Sequence, residues 1–453
     1  MRGESVIFLC CLITLALGKG LKLEFSWSRI TYQWPKDGQY LKRQVKTESR
    51  YRGPGGTGRS SDVITFEGMT NANEFDADGP GVGAARGPPD NIDYQFVNNI
   101  PMGANVWRNK LFITVPRRRL GVPSTLNYIP LDSPLKQDVP LIPYPSWEIN
   151  LFPGPRENFV SVYRVAIDPC DRLWFVDTGI IETPGNTTIV KQSEIVVIDL
   201  KTDRILQRYT IPEDQTTPTS NLASLTIDVT ENSCSDAYAY IPDLGGYGLI
   251  VYSLRENRSW KVRHNYFYVE PLAGEFFIAG HHFQWNDGIF SVELTDIKKD
   301  GYRDMYFHSM AGTNLYRVST RILRNETLAT RSYHEDDFQF VGDRGPNSQT
   351  SSADIHKPTN IMFLGLVNQN ALGCANLDFA TADIVQRDDQ RMIYPTDVKI
   401  VKDKVYVFTN TMPEFLYGRL NYDEVNFRLW QNTVQGAVEG TKCEGRKPPR
   451  TSY

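Results

Sequence analysis

Carboxylate, hydroxyl and amide side chains follow several short apolar segments at related places along the chain. Asp177 and Asp243 end two such segments, Ser309 ends a third, and Asn368 and Asn410 follow two more. If these segments are equivalent strands of a repeated sheet, their polar ends would meet at one mouth of a central channel. The alternative is that each is a turn residue hydrogen-bonded to its own backbone, which is the commoner role at any single position.

Two kinds of chemistry fit such a cluster. Some β-propeller enzymes hold calcium with Asp and Asn side chains from several blades, and the candidates here are Asp177, Asp243, Asp397 and Asn410. A proton transfer would instead need an acid within reach of a substrate ring, for which Asp397 and Asp177 are available. Because the cysteines and histidines lack metal-ligand spacing, we predict no metal site and no cofactor.

Three further motifs resemble binding sites only superficially. Residues 53–58 read G-x-G-x-x-G, but they lack the preceding strand and following helix that a dinucleotide site requires. Residues 74–79 resemble the start of a calcium loop, but the twelfth position is Ala85 instead of a bidentate acid. The basic run at 117–119 is interpreted as a solvated turn. No G-x-S-x-G is present, so the sequence contains no recognisable catalytic motif.

The composition and the first residues predict a secreted protein. The chain has 453 residues and a formal net charge of -4, which argues against nucleic acid or an anionic membrane as a partner. Arg2 precedes an apolar stretch over residues 6–17, and Gly18 and Gly20 follow it, which predicts a signal peptide over residues 1–20. This stretch is too short to span a bilayer, and no later stretch is long enough.

The cysteines and the glycosylation sequons agree with an oxidising, extracellular compartment. Two of the six cysteines lie in the predicted signal peptide, and the other four allow three pairings. We expect the pairs that join neighbours along the chain, Cys170 with Cys234 and Cys374 with Cys443. Three sequons predict glycosylation at Asn186, Asn257 and Asn325.

A degenerate repeat predicts the fold. Evidence for helices is thin, whereas Gly, Pro, Tyr and Phe are plentiful, as in proteins with many short strands and turns. Six apolar runs recur at steps of 43 to 66 residues, and they cover residues 111–115, 173–177, 239–243, 305–309, 362–366 and 405–409. Each step has room for a few strands, so we predict an all-β, six-bladed β-propeller over residues 21–453, with a Gly/Pro-rich insertion at about 52–91. The alternative, a two-domain β sandwich, predicts no such spacing.

Residues 360–377 combine an apolar run, a cluster of amides and then small residues around Cys374, which indicates a buried strand ending in groups that need hydrogen-bond partners. This segment resembles the signature of the insect Yellow and major royal jelly protein family. The resemblance covers nearly all of the mature chain, is closer to the Yellow branch, and includes residues 27–32, 106–116, 121–128, 168–179, 394–399 and 420–428.

The resemblance implies a secreted six-bladed propeller. Members of the family are tied to cuticle melanisation, some convert dopachrome, and salivary relatives bind biogenic amines at the channel mouth. Where those relatives place a Thr and an Asn on the ligand, this chain has Thr396 and Asn410. Met412 stands where they have an aromatic ring, a change that removes a cation–π partner worth about 0.5–2 kcal/mol. The alternative is that Thr396 and Asn410 only cap strand ends.

Three functions follow as hypotheses. The first is a binder of small aromatic amines or catechols in cuticle pigmentation and melanin metabolism. The second is a dopachrome-converting enzyme, which predicts loss of turnover in Asp397→Asn. The third is a structural or signalling propeller whose face binds a protein partner, and that partner is not identified by the sequence.

Overall fold

The computed structural model describes residues 20–35, 92–183 and 186–445. Strands dominate these residues and form six four-stranded antiparallel sheets, so the prediction of an all-β, six-bladed propeller is confirmed. The predicted signal peptide, apart from Gly20, and the insertion at about 52–91 lie outside the described residues.

The strands are numbered in chain order. The first strand, β1 (Lys22–Trp27), belongs to the last blade. Blade 1 contains β2 (Gly103–Trp107), β3 (Lys110–Thr114), β4 (Leu126–Pro130) and β5 (Ile142–Pro143). Blade 2 contains β6 (Val162–Asp168), β7 (Arg172–Asp177), β10 (Glu194–Asp199) and β11 (Arg204–Thr210), with the hairpin β8 (Ile180–Thr183) and β9 (Asn186–Ile189) inserted. Blade 3 contains β12 (Thr226–Asp228), β13 (Tyr238–Asp243), β14 (Gly248–Ser253) and β15 (Arg258–Val262).

A second hairpin, β16 (Glu275–Ile278) and β17 (His281–Gln284), separates blades 3 and 4. Blade 4 contains β18 (Ile289–Leu294), β19 (Asp304–Ser309), β20 (Asn314–Ser319) and β21 (Phe338–Asp343). Blade 5 contains β22 (Thr350–His356), β23 (Ile361–Leu366), β24 (Ala371–Asn376) and β25 (Thr381–Arg387). Blade 6 contains β26 (Pro395–Val401), β27 (Lys404–Thr409) and β28 (Phe427–Thr433), completed by β1.

The α-helices of the described chain are all short, and they are α1 (Trp147–Asn150), α2 (Thr320–Leu323), α3 (Glu326–Ala329), α4 (Met412–Tyr417) and α5 (Val434–Val438). Single 3-10 turns occupy Phe96–Asn98, Glu213–Gln215, Glu231–Ser233, Asn265–Phe267, Pro271–Ala273, Lys357–Thr359 and Val367–Gln369. No helix among the described residues is both long enough and apolar enough to cross a membrane.

The six apolar runs found in the sequence are the second strands of the six blades, β3, β7, β13, β19, β23 and β27. The first strands, β2, β6, β12, β18, β22 and β26, contact one another in a ring and surround the channel. The ring is closed because β1 pairs antiparallel with β28, from Lys22 opposite Gln431 to Trp27 opposite Phe427. An N-terminal strand thereby completes the C-terminal blade and leaves no open junction between them.

Apolar side chains between neighbouring blades hold the ring together. Trp174 of blade 2 and Ile241 of blade 3 are fully buried in one such cluster, and equivalent clusters fill the other junctions. Burial of one large aliphatic or aromatic side chain contributes about 1.5–3 kcal/mol, so each junction is a substantial core. The two predicted disulfides are confirmed: Cys170 joins Cys234 across blades 2 and 3, and Cys374 of blade 5 joins Cys443 after α5.

Candidate functional site

A cavity of about 350 Å³ lies at one mouth of the channel, where the first strands begin. Its walls come from five of the six blades and are largely aromatic or apolar. These wall residues include Met102, Tyr163, Leu244, Trp285, Phe290, Tyr394, Met412 and Tyr417. Arg118 and Asp287 are the charged residues in the lining, so the cavity pairs flat apolar walls with one cation and one acid.

Asp287 is an acid without a hydrogen-bond partner for its carboxyl among the described residues. Its backbone carbonyl accepts a hydrogen bond from the N–H of Ala311, which fixes the main chain just before β18. Burial raises the pKa of the Asp287 carboxyl to about 6, and the positive charge of Arg118 opposes this shift. The carboxyl is therefore able to pair with a cation of a ligand or to accept a proton from it.

Arg118 is fixed by neighbours on two sides. Its Nη2 lies 2.7 Å from Oε2 of Glu182, and Nη1 donates to the hydroxyl of Tyr163 at 3.4 Å. The Tyr163 hydroxyl in turn donates to Glu182. The charge of Arg118 is thus balanced by Glu182, and its guanidinium is held in one orientation at the cavity wall.

The prediction that residues 117–119 form a solvated turn is wrong. Arg117 is 1% exposed and donates to five backbone carbonyls, among them those of Val122 and Phe159. Arg119 covers the ring of Phe415, with 4.1 Å between its guanidinium carbon and the ring centroid. Arg117 and Arg119 donate to backbone carbonyls, whereas Arg118 contacts the side chains of Tyr163 and Glu182, so all three guanidiniums have partners in the protein.

Tyr394 carries the second unpartnered polar group of the cavity. It is 2% exposed, and its hydroxyl makes no hydrogen bond with another described residue. Its ring meets Trp285 edge to face, with 6.1 Å between the centroids. Burial raises the pKa of the Tyr394 phenol well above its usual value. Its φ of 51° lies in the left-handed region, which bulky side chains rarely adopt.

The structure places the three residues predicted to bind ligand at and behind this cavity. Met412, the first residue of α4, lines it directly. Thr396 and Asn410 are fully buried behind the wall. Thr396 Oγ1 donates to the carbonyl of Met102 at 3.1 Å, and Asn410 Oδ1 accepts from the N–H of Met412 at 3.2 Å. Both side chains therefore fix residues that face the cavity.

The polar strand ends Asp177 and Asp243 lie at this end of the propeller, where each is bound by other groups of the protein. Asp177 accepts from three backbone N–H groups and lies 2.9 Å from Nζ of Lys191. Asp243 accepts from two backbone N–H groups and a Ser220 hydroxyl, and lies 2.8 Å from Nζ of Lys261. Ser309 donates to a backbone carbonyl in the same way. These contacts favour a structural role.

Asp397 is also paired. It lies 3.7 Å from Arg164 and 3.0 Å from Lys399, and it accepts hydrogen bonds from the N–H of Ala104 and the hydroxyl of Ser352.

Asn368 bonds to the β16–β17 hairpin, where its Oδ1 accepts from a backbone N–H. Within the described ranges, no group of three or more His, Cys, Asp or Glu side chains has an arrangement that would hold a metal ion.

The sequence reasoning missed Asp287, Arg118 and Tyr394 as site residues. Asp287 does not end an apolar run, and it follows the aromatic segment of β17 and Trp285. Arg118 lies within a basic run and Tyr394 within a family motif. Neither has a neighbour in the sequence with which it forms a recognisable site motif. Their distance along the sequence hides their proximity, which only the closed ring creates.

Comparison with known proteins decides the family. The model of the family described as Major royal jelly protein matches residues 160–443. The chain belongs to this family. It is 43% identical over 353 residues to L-dopachrome tautomerase yellow-f of Drosophila melanogaster, and the match covers 77% of this chain and 82% of that protein. It is 41% identical over 370 residues to Protein yellow of the same species, covering 79% and 68%.

The resemblance to the Yellow and major royal jelly protein family is thus confirmed. Protein yellow of Drosophila erecta gives the same result, with 40% identity over 370 residues that cover 79% of this chain and 68% of that protein. The matched segment of the family model begins just before β6 and ends at Cys443, so it contains blades 2 to 5 and the three strands of blade 6 other than β1. All the cavity residues from Tyr163 to Tyr417 therefore belong to the family domain.

Proposed function

We propose that this Yellow-family protein is a secreted glycoprotein that binds small aromatic amines or catechols in the mouth cavity and acts in pigment metabolism. The observation that carries the proposal is the lining of the cavity, where aromatic walls surround the unpartnered carboxyl of Asp287. A ring stacks on Trp285 or Tyr394, and an ammonium group meets the carboxylate. A cavity of about 350 Å³ suits one bicyclic ligand.

Thr396, Asn410 and Met412 remain binding residues in this proposal. Met412 would contact the ligand directly, and its sulfur suits an aromatic ring. Asn410 would set the position of Met412, because its amide oxygen accepts from the Met412 N–H. Thr396 would act through Met102, whose carbonyl it binds.

Secretion and glycosylation are supported by separate features. Two disulfides are typical of oxidising compartments. Asn257 and Asn325 are exposed, as a glycan requires, while the side chain of Asn186 lies outside the described part of the structure. The amide nitrogens of Asn257 and Asn325 make no hydrogen bond to a described residue, so a glycan would displace no contact.

Titration calorimetry of the purified glycoprotein against dopamine, serotonin and octopamine tests this proposal. We expect saturable heat with the parent protein. Asp287→Asn should weaken amine affinity about 10- to 150-fold, because a hydrogen bond to a charged group contributes about 1.5–3 kcal/mol. Asn410→Ala should also weaken binding. Asp214→Asn is the matched control, since Asp214 is exposed and does not line the cavity. No heat with any of the amines would contradict the proposal.

A second candidate function is dopachrome conversion. It is favoured by the similarity to L-dopachrome tautomerase yellow-f together with the two unpartnered polar groups in the cavity. Loss of dopachrome absorbance in the same preparation tests it. Absence of both heat and turnover would favour the third hypothesis, a propeller that binds a protein partner.

A further inference from the structure

We infer that Asp287 and Tyr394 are the proton-transfer pair of the mouth cavity, acting on an aminochrome, the cyclised quinone form of a catechol amine. Asp287 accepts a proton from a saturated ring carbon, and Tyr394 donates one to a quinone oxygen. This inference rests on the second proposed function, dopachrome conversion, and goes beyond it by assigning the residues.

The geometry carries the inference. Both residues line one cavity, although they come from different blades. Three buried acids of blades 2, 3 and 6, Asp177, Asp243 and Asp397, are each bound by a basic side chain of the protein. Of the cavity's carboxyl and phenol groups, only Asp287 and Tyr394 make no hydrogen bond with a described residue, because the Tyr163 hydroxyl donates to Glu182 and the Tyr417 hydroxyl accepts from Nε1 of Trp285.

The backbone of Tyr394 adds an independent observation. Its left-handed φ of 51° is unfavourable for a bulky residue, and Pro395 follows it directly. Fifteen non-glycine residues of the described chain have such a φ, so the conformation does not by itself mark a site, but at Tyr394 it fixes a side chain that lines the cavity. Here the strained residue is the one whose ring packs on Trp285 and whose hydroxyl lacks a partner in the described chain.

The charges around the pair suit the two roles. Arg118, Tyr394 and Tyr247 are the titratable groups that interact with Asp287. With a pKa of about 6, the Asp287 carboxyl is largely ionised at neutral pH and remains basic enough to accept a proton. The raised pKa of Tyr394 keeps its phenol protonated, so it donates.

The step balances without an oxidant or reductant. The ring C–H bond breaks, its proton forms an O–H bond with Asp287, and its electron pair moves into the conjugated ring. The quinone oxygen gains this electron density and takes the proton of the Tyr394 phenol. The phenolate then recovers a proton through solvent as Asp287 releases one, so the net change moves a proton from carbon to oxygen, which is a tautomerisation.

Removal of each group tests the assignment. Tyr394→Phe and Asp287→Asn should each lower the rate of dopachrome loss by about 10²- to 10⁴-fold, the usual contribution of a positioned acid or base. Because neither group has a partner in the described chain, both variants should fold. Tyr394→Phe should also retain amine binding within a few-fold by calorimetry. Tyr333→Phe and Asp214→Asn, at exposed positions, should retain the parent rate.

The outcomes separate this inference from the binding proposal. Parent-like turnover in either variant would overturn the pair. Absence of turnover in the parent protein would also overturn it, while saturable amine heat would leave the binding proposal intact. Turnover lost in Tyr394→Phe with amine affinity unchanged would support the pair, because a merely structural tyrosine would lower both.

Discussion

Of three aspartates at the same end of the propeller, two are paired within the protein and the third is not. Asp177 and Asp243 end the second strands of blades 2 and 3, and each is fully buried, bound by backbone N–H groups and paired with a lysine. Asp287 precedes the first strand of blade 4, lines the cavity, and has no hydrogen-bond donor for its carboxyl among the described residues. The first two stabilise the loops at the mouth, whereas the third is available to a ligand.

This contrast separates structural acids from candidate functional ones by their partners. A buried carboxylate that accepts several N–H groups and faces an ammonium is already used, and it can neither bind a cation nor exchange a proton without breaking the fold. A partly buried carboxyl without donors is stabilised in its neutral form, which brings its pKa toward physiological pH. The acids that end apolar runs in the sequence are the paired, structural ones. The unpaired acid, Asp287, was found only in the closed ring.

The largest effect should come from breaking a paired acid. Asp243→Asn leaves the Lys261 ammonium buried, with its side chain 4% exposed and no other ion pair among the described residues, so we expect a loss of about 3–5 kcal/mol in the free energy of unfolding. Asp177→Asn should cost less, because Lys191 keeps a second contact with Glu194 at 3.1 Å. Chemical denaturation measures both. An equal loss in the two variants would contradict this reasoning.

Asp287→Asn should instead raise stability at pH 7. The folded-state pKa is raised from 3.8 to about 6, so ionisation of Asp287 opposes folding; this penalty is absent below pH 4, grows between pH 4 and 6 and is complete above 6. Removing it should add about 1–3 kcal/mol at pH 7, a range that allows for solvent screening. Denaturation at pH 4 and pH 7 tests the sign. A variant that is less stable than the parent at pH 7 would show that the carboxylate has a partner in the protein.

Met412→Phe tests whether a residue that lines the cavity directly sets the affinity for amines. An aromatic face at this position would restore a cation–π partner worth about 0.5–2 kcal/mol, so we expect amine affinity to rise about 2- to 30-fold. Calorimetry with dopamine measures it. Leu272→Phe, the same kind of change at a fully exposed position outside the cavity lining, is the control, and it should leave affinity unchanged.

Local patterns predicted the fold well because each blade repeats them. The six apolar runs ended in turn residues, and the even set of cysteines limited the pairings, so strands and disulfides were accessible from the sequence. The cavity was not, because Arg118, Asp287 and Tyr394 are separated by more than a hundred residues each and meet only after the ring closes. Thr396 and Asn410 were located by resemblance, and their side chains reach residues of the wall.

An exposed, paired aspartate provides the smallest effect and the final control on the comparison. Asp389 accepts from Nε and Nη2 of Arg387 at 3.2 Å, and hydrogen bonds from that arginine lower the pKa of the carboxyl. The Asp389 side chain is 58% exposed, so Asp389→Asn should change the free energy of unfolding by less than about 1 kcal/mol. A lowered pKa makes this small contribution present near neutral pH and lost in acid, and added salt should reduce it further. If Asp389→Asn cost as much as Asp243→Asn in chemical denaturation, pairing alone would set the energy. We expect Asp243→Asn to cost far more, because it leaves a buried lysine without its partner, whereas Asp389→Asn leaves an exposed arginine. Burial of the cation that is left behind determines the cost.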